Sequence, residues 1–161
     1  KRIDDLAAHA RATAGGLNAL VARLSALDAE TVEAARTAGT AYGLLGVVRA
    51  VPFVVRRPQP LLPEEPLAAR GLAPDRLGGD DQRAALRPVL REITERAGAR
   101  LAELRRARGR RAAAAFVPLV LARQDLARLE RRGFDVFDGR LAERPPWTAA
   151  RCLLAASLGR Y

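Results

Sequence analysis

An all-α fold is predicted by three features of this sequence. Apolar residues recur in alternating steps of three and four, no segment alternates apolar and polar with period two, and Gly or Pro stands between the periodic stretches. With 161 residues the chain is one domain's worth and long enough for a real helical core. No repeat of 20–50 residues and no low-complexity stretch is present.

The first helix is expected over residues 3–27. Ile3, Leu6, Ala10, Thr13, Leu17, Leu20, Leu24 and Leu27 form one stripe on it. Gly15 and Gly16 interrupt the pattern at about 1 kcal/mol each against Ala, which implies a neighbour packed tightly there. Asp28 is placed to cap a second helix over 29–51. From Ala38 to Val48 that helix is almost entirely apolar, as a buried helix is. Pro52 should end or bend it.

Residues 55–79 read as loop with one helical turn starting at Pro63-Glu64-Glu65, and Leu72 and Leu77 tuck this segment onto the core. Asp80 or Asp81 is expected to cap a third helix reaching about residue 106, with Leu86, Leu90, Ile93, Ala97, Leu101 and Leu104 as its stripe. The basic run Arg105 to Arg111 contains Gly109 and predicts a helix–helix turn, read as a solvated corner in preference to a patch for lipid or nucleic acid. A fourth helix over 111–132 carries Pro118, expected to kink it, and stops at Gly133. Phe134 and Phe137 anchor the next turn, and Pro145-Pro146 opens a last helix with Trp147, Leu153, Leu154 and Leu158.

Function classes can be narrowed from composition. Net charge is +10, and Lys1 is the only lysine among 28 basic residues. Such a balance suits an anionic lipid, a diphosphate or a nucleic acid. A GC-rich genome would also enrich Ala and Arg. Nucleic acid is not expected, because four Phe, two Tyr and one Trp serve base stacking poorly. One His and one Cys cannot build a structural zinc site. His9 could act as a base, but no Ser or Cys lies near it, and Cys152 sits in an apolar helical tail. The longest apolar run, Ala112 to Ala122, is about half of the ~20 residues that a membrane span needs. The chain holds no Met, so it reads as a fragment or a processed product.

The stretch Gly39 to Leu72 organises the rest. Small residues Gly39, Ala41, Gly43 and Gly46 leave room for a neighbouring helix, and Arg49, Arg56 and Arg57 put three cations at the helix exit. A strap with Pro58, Pro60, Pro63 and Pro66 follows, where no helix propagates. Such a combination can form the mouth of a pocket for an anionic ligand. A buried helix with a solvated basic loop is the plainer alternative.

Laid out without a gap, GTAYGLLGVVRAVPFV and VRRPQPLLP resemble the second aspartate-rich region of the squalene/phytoene synthase family. That region reads G-x-A-x-Q-L-T-N-I-L-R-D-V-x-E-D and then R-R-G-R-x-Y-L-P. Gly39, Ala41, Leu44, Arg49, Val51, Arg56, Arg57, Leu62 and Pro63 match. Ala50 and Val54 stand where the synthases carry aspartates, and Gly43 and Gly46 replace Gln and Asn. The family's two carboxylates share one helix face and hold magnesium on a prenyl diphosphate; Ala50 and Val54 offer no oxygen. No Asp or Glu in the chain is followed four residues later by another. Pairs three apart, Glu30/Glu33, Glu92/Glu95 and Asp135/Asp138, read as solvated faces or turns.

Arg49, Ala50, Pro52 and Phe53, with Gly43 and Leu44, are similar to the branch of the family that includes the mitochondrial assembly factors for respiratory complex I. Val117 to Leu141, VPLVLARQDLARLERRGFDVFDGRL, is similar to that branch's Leu/Pro-rich helix, basic turn and F-[DN]-[VI]-F. The resemblance implies an all-α helical bundle, the C-terminal portion of an isoprenoid-synthase-type fold. Residues 1–161 would then form a single helical domain lacking the family's N-terminal half, where the first acidic motif lies.

It further implies a non-catalytic, membrane-associated assembly or binding factor, cytoplasmic or peripheral to the inner membrane. Its partners would be an anionic lipid, a prenyl diphosphate or a protein client at a membrane. No catalytic residue, metal or cofactor is expected on that reading. On the alternative, an active transferase condensing prenyl diphosphates, magnesium is required. Arg49, Arg56 and Arg57 are the candidates for binding an anion or diphosphate, and Gly39, Tyr42, Gly43, Gly46 and Phe53 for lining the pocket.

Overall fold

The computed structural model describes residues 1–54, 62–73, 77, 79–104 and 110–161, and among these every regular element is helical, apart from one isolated bridge residue, Arg160. Helices α1 (Ile3–Ala10) and α2 (Gly16–Leu24) are joined without a break by a π-helical segment, Arg11–Gly15. The long helix α3 (Ala29–Val54) follows, then the short α4 (Glu64–Ala68) and α5 (Asp80–Glu103). A 3-10 turn (Arg110–Ala112) leads into α6 (Ala113–Arg131), and α7 (Gly139–Ala142) and α8 (Thr148–Leu158) complete the chain.

The core is built around α3, which packs against α1, the π segment, α2, α5 and α6. Its Leu44, Leu45 and Val48 are wholly buried. Each such side chain contributes about 1.5–3 kcal/mol relative to exposure. By length and composition α3 could cross a membrane. Half of that apolar stretch is buried, against the neighbouring helices. The helix runs past Pro52 to Val54, further than expected, because a proline so near the end forfeits only a late helical bond.

The first helix departs most from expectation. Ile3, Ala7 and Ala10 are buried, but Thr13, Leu17, Leu20 and Leu24 are exposed, Leu24 to 80%. The buried face after the π segment is Gly15, Asn18, Ala19 and Ala22. A π turn carries about one residue more than an α turn, so it rotates the downstream face by roughly 100°. The predicted stripe is thereby turned to solvent and a stripe of small residues faces α3 and α6. Gly15 meets its expected neighbour: a Cβ there would lie 2.6 Å from Thr40 Oγ1 and 2.9 Å from the Arg36 carbonyl oxygen. Gly16 does not, its nearest such atom being 3.9 Å away.

Several element ends follow their residues. Asp28 Oδ1 accepts from the Thr31 amide at 2.8 Å and Oδ2 from the Thr31 hydroxyl at 2.8 Å. These bonds, the backbone one first, hold the Asp28 carboxyl below its ordinary value of 3.8. Folding therefore favours the ionised form. The contribution is present above the ordinary value and is lost as pH falls through the lowered one. Asp28→Ala is expected to lower the thermal midpoint, and Asp28→Asn to recover most of the loss, as followed by circular dichroism.

At α5 the residue before the helix is Gly79, in extended conformation, and Asp80 is already the first helical residue rather than the cap. The predicted α5 stripe from Leu86 to Leu101 is buried, with Leu104 half-buried. Leu72 and Leu77 are buried as expected. Gly133, at φ +57°, follows α6, and the Phe134 amide returns to the Leu129 carbonyl at 2.9 Å. Phe134 and Phe137 lie under the guanidinium groups of Arg91 and Arg83, at 5.1 and 4.7 Å. Arg56, Arg57, Pro58, Pro60 and Arg105 to Gly109 lie outside the described residues.

Candidate functional site

The last turns of α3 carry Arg49 toward α6. There Asp125 lies in phase with the apolar stripe Ala115, Leu119, Ala122 and Leu129, so the helix turns a carboxylate into the interior. Asp125 is only 2% exposed. Arg49 Nη1 donates to its Oδ2 at 3.1 Å, and Arg144 Nη2 to the same oxygen at 3.3 Å. Arg144 also reaches the Tyr42 hydroxyl at 3.5 Å. Burial pushes the Asp125 carboxyl above its ordinary value; Arg49, Arg144 and Arg128 pull it down and only partly offset this. Next to it in sequence, Gln124 Nε2 donates to Thr148 Oγ1 at 2.8 Å, tying α6 to the start of α8.

Arg49 Nε is buried with no partner among the described residues. Beside it Arg49, Pro52, Phe53 and Leu129 line a void of about 10 Å³. That is room for about one water molecule and not for a diphosphate. A larger cavity of about 510 Å³ opens between α1 and α3, lined by Asp5, His9, Ala10, Thr13, Gly43 and Val47 among others.

The sequence candidates are thus dispersed. Gly43 lines the large cavity and sits over the end of α1 and the π segment, where a Cβ would come 3.4 Å from Ala10 Cβ and 3.0 Å from Ala14 Cβ. Gly39 packs on Ala14 and Asn18. Among the described residues Gly46 has no such atom within 4 Å of a Cβ, so it provides close approach to none of the described helices. Phe53 is largely exposed at the rim of the small void, and Tyr42 joins the Asp125 network. Ala50 and Val54, half-buried on α3, supply no oxygen. Arg56 and Arg57 lie outside the described residues.

Asp125, Arg144 and Arg128 were not anticipated. The signal was present: a carboxylate three residues after Ala122 and four before Leu129 falls on the core side of its helix.

Magnesium does not fit what is here. The described residues contain no group of three or more His, Cys, Asp or Glu side chains able to hold a metal ion. The buried carboxylate on this side of α3 is taken by two guanidinium groups, and a hard cation would have to displace them.

No curated protein and no solved structure matches the chain. The squalene/phytoene synthase family profile matches residues 2–151, from α1 into α8. The match spans the π-linked first helix, the Arg49 end of α3 and the Asp125 helix, so the chain belongs to the squalene/phytoene synthase family.

Proposed function

We propose that this chain is a non-catalytic member of a prenyl-transferase-like family and works by binding, as an assembly factor held at the surface of a membrane. The observation that carries this reading is the state of the α3 exit. Ala50 and Val54 replace the metal-binding carboxylates, and Arg49 is engaged by buried Asp125 instead of facing open space. Catalysis in the family rests on a divalent cation neutralising a departing diphosphate. Fold membership alone does not supply that chemistry.

The branch-like Arg49-Ala50-Val51-Pro52-Phe53 and the Phe134-Asp135-Val136-Phe137 turn support the role of an assembly factor of the respiratory complex I type, with a protein client at the inner membrane. The cavity between α1 and α3, with Leu6, Val47 and Leu62 in its lining and Lys1, Arg2 and Asp5 at its border, suits the tail of an amphiphilic anion such as a prenyl diphosphate, bound without turnover.

The test is magnesium-dependent diphosphate release by the full-length protein from farnesyl or geranylgeranyl diphosphate. The expected result is no release above the uncatalysed background. Turnover on the order of 1 s⁻¹ or faster would overturn the reading.

A further inference from the structure

We infer that the cleft between α6 and α8 is the face by which this protein sits on an anionic phospholipid bilayer. The inference rests on the membrane-surface reading above and gives it a location. The cleft has a volume of about 640 Å³, and Arg128, Arg131, Arg132, Arg140 and Arg151 line it together with Trp147. Among the described residues no carboxylate lines it.

The hydrogen bonds of these arginines leave most of the charge uncompensated. Arg128 donates to the carbonyl oxygens of Arg140 and Glu143, and Arg131 to that of Ala127. A neutral acceptor orients a guanidinium without cancelling its charge, and of these two arginines only Arg128 also feels buried Asp125. Arg132 pairs with Asp138 at 3.4 Å. Among the described residues, Arg140 and Arg151 have no ion-pair partner.

The helix that forms one wall adds an apolar stripe. Trp147, Arg151, Leu154 and Leu158 follow one another at steps of four, three and four, and so share one face of α8. Trp147 and Leu154 are both 59% exposed, and Leu158 is 55% exposed. Cations beside an exposed tryptophan and leucines match the headgroup and upper acyl region of a bilayer. A nucleic acid or a free phosphate would use the arginines but has no use for the leucines. Charge therefore selects an anionic surface, and the α8 stripe selects a lipid one.

Trp147 is the only tryptophan, so its fluorescence reports this face alone. The probes are vesicles of phosphatidylcholine alone, and of phosphatidylcholine mixed equally with phosphatidylglycerol. Anionic vesicles are expected to float the protein, shift Trp147 emission to the blue and expose it to quenching by brominated acyl chains. Neutral vesicles should do none of these, and added salt should weaken the binding. Reversing two charges in Arg140→Glu/Arg151→Glu is expected to lower affinity by roughly thirtyfold or more. Leu154→Ser/Leu158→Ser should abolish the quenching. Both variants should keep the far-UV circular dichroism of the wild type, because these side chains are exposed.

A wild-type protein that ignores both vesicle types overturns the membrane reading and this inference together. A wild type that floats while both double variants float equally, with Trp147 unshifted, overturns the location alone. A Trp147 shift caused by DNA or inorganic phosphate but not by vesicles also overturns it. Diphosphate release bears on none of these outcomes.

Discussion

Asp125→Ala is expected to destabilise the fold by about 3 kcal/mol in chemical denaturation. Removing one side of a buried ion pair leaves the other side charged and unpaired, which typically costs about 3–5 kcal/mol. Here two guanidinium groups are stranded, yet Arg49 and Arg144 keep 24% and 28% exposure, so water reaches them and the low end applies. Asp125→Asn retains an acceptor oxygen and is expected to lose about half as much.

The pH dependence gives a second, independent reading. Burial raises the Asp125 carboxyl above its ordinary value of 3.8, so folding favours its protonated form. The stability of the wild type relative to Asp125→Asn should therefore rise as pH falls through the raised value, and level off below 3.8. An exposed carboxylate in a surface ion pair would give the opposite slope. Since burial outweighs the attraction, the network specifies where α3 meets α6 more than it stabilises the fold. Replacing Arg49, Asp125 and Arg144 together by apolar side chains of similar volume should then recover most of the loss. Unchanged stability in Asp125→Ala would refute this account.

What could be read from the sequence depended on whether a helix kept a single phase. α5 keeps its phase, and its stripe from Leu86 to Leu101 is buried as the spacing predicts. The first helix changes phase at the π segment. No residue in Arg11–Gly15 announces the extra residue, although the glycine at its end marks the close contact that accompanies it. The site divides in the same way. The loss of the paired carboxylates at Ala50 and Val54 is legible, since it is a matter of residue identity. The partnership of Arg49 with Asp125 joins positions 76 residues apart, and only the packing of α3 on α6 brings them together. The approach of Arg144 depends further on the turn after α6, held by Gly133 and Phe134, both in left-handed backbone.

Gly39→Ala is expected to reduce stability by about 2 kcal/mol, against the usual direction of this substitution inside a helix. Alanine normally stabilises a helix interior by about 1 kcal/mol relative to glycine. At position 39, however, the added Cβ would lie 2.6 Å from the Ala14 carbonyl oxygen and 2.9 Å from Asn18 Cβ. The first of these is backbone and cannot rotate away, so α2 and the π segment must move off α3. Asn18 carries the disturbance onward, because its Nδ2 donates to the Ala115 carbonyl at 3.1 Å and links α2 to α6.

Such overpacking costs about 1–3 kcal/mol, and the buried bond at Asn18 adds to it before the helix preference is subtracted. Gly46 on the same helix provides the control. Among the described residues nothing lies within 4 Å of a Cβ there, so Gly46→Ala should stabilise by up to about 1 kcal/mol. Thermal melts of the two variants should therefore move in opposite directions. A shift of roughly 2–4 °C per kcal/mol is expected for a domain of this size. If both substitutions stabilise, α2 and the π segment do not approach α3 closely enough to need glycine at position 39.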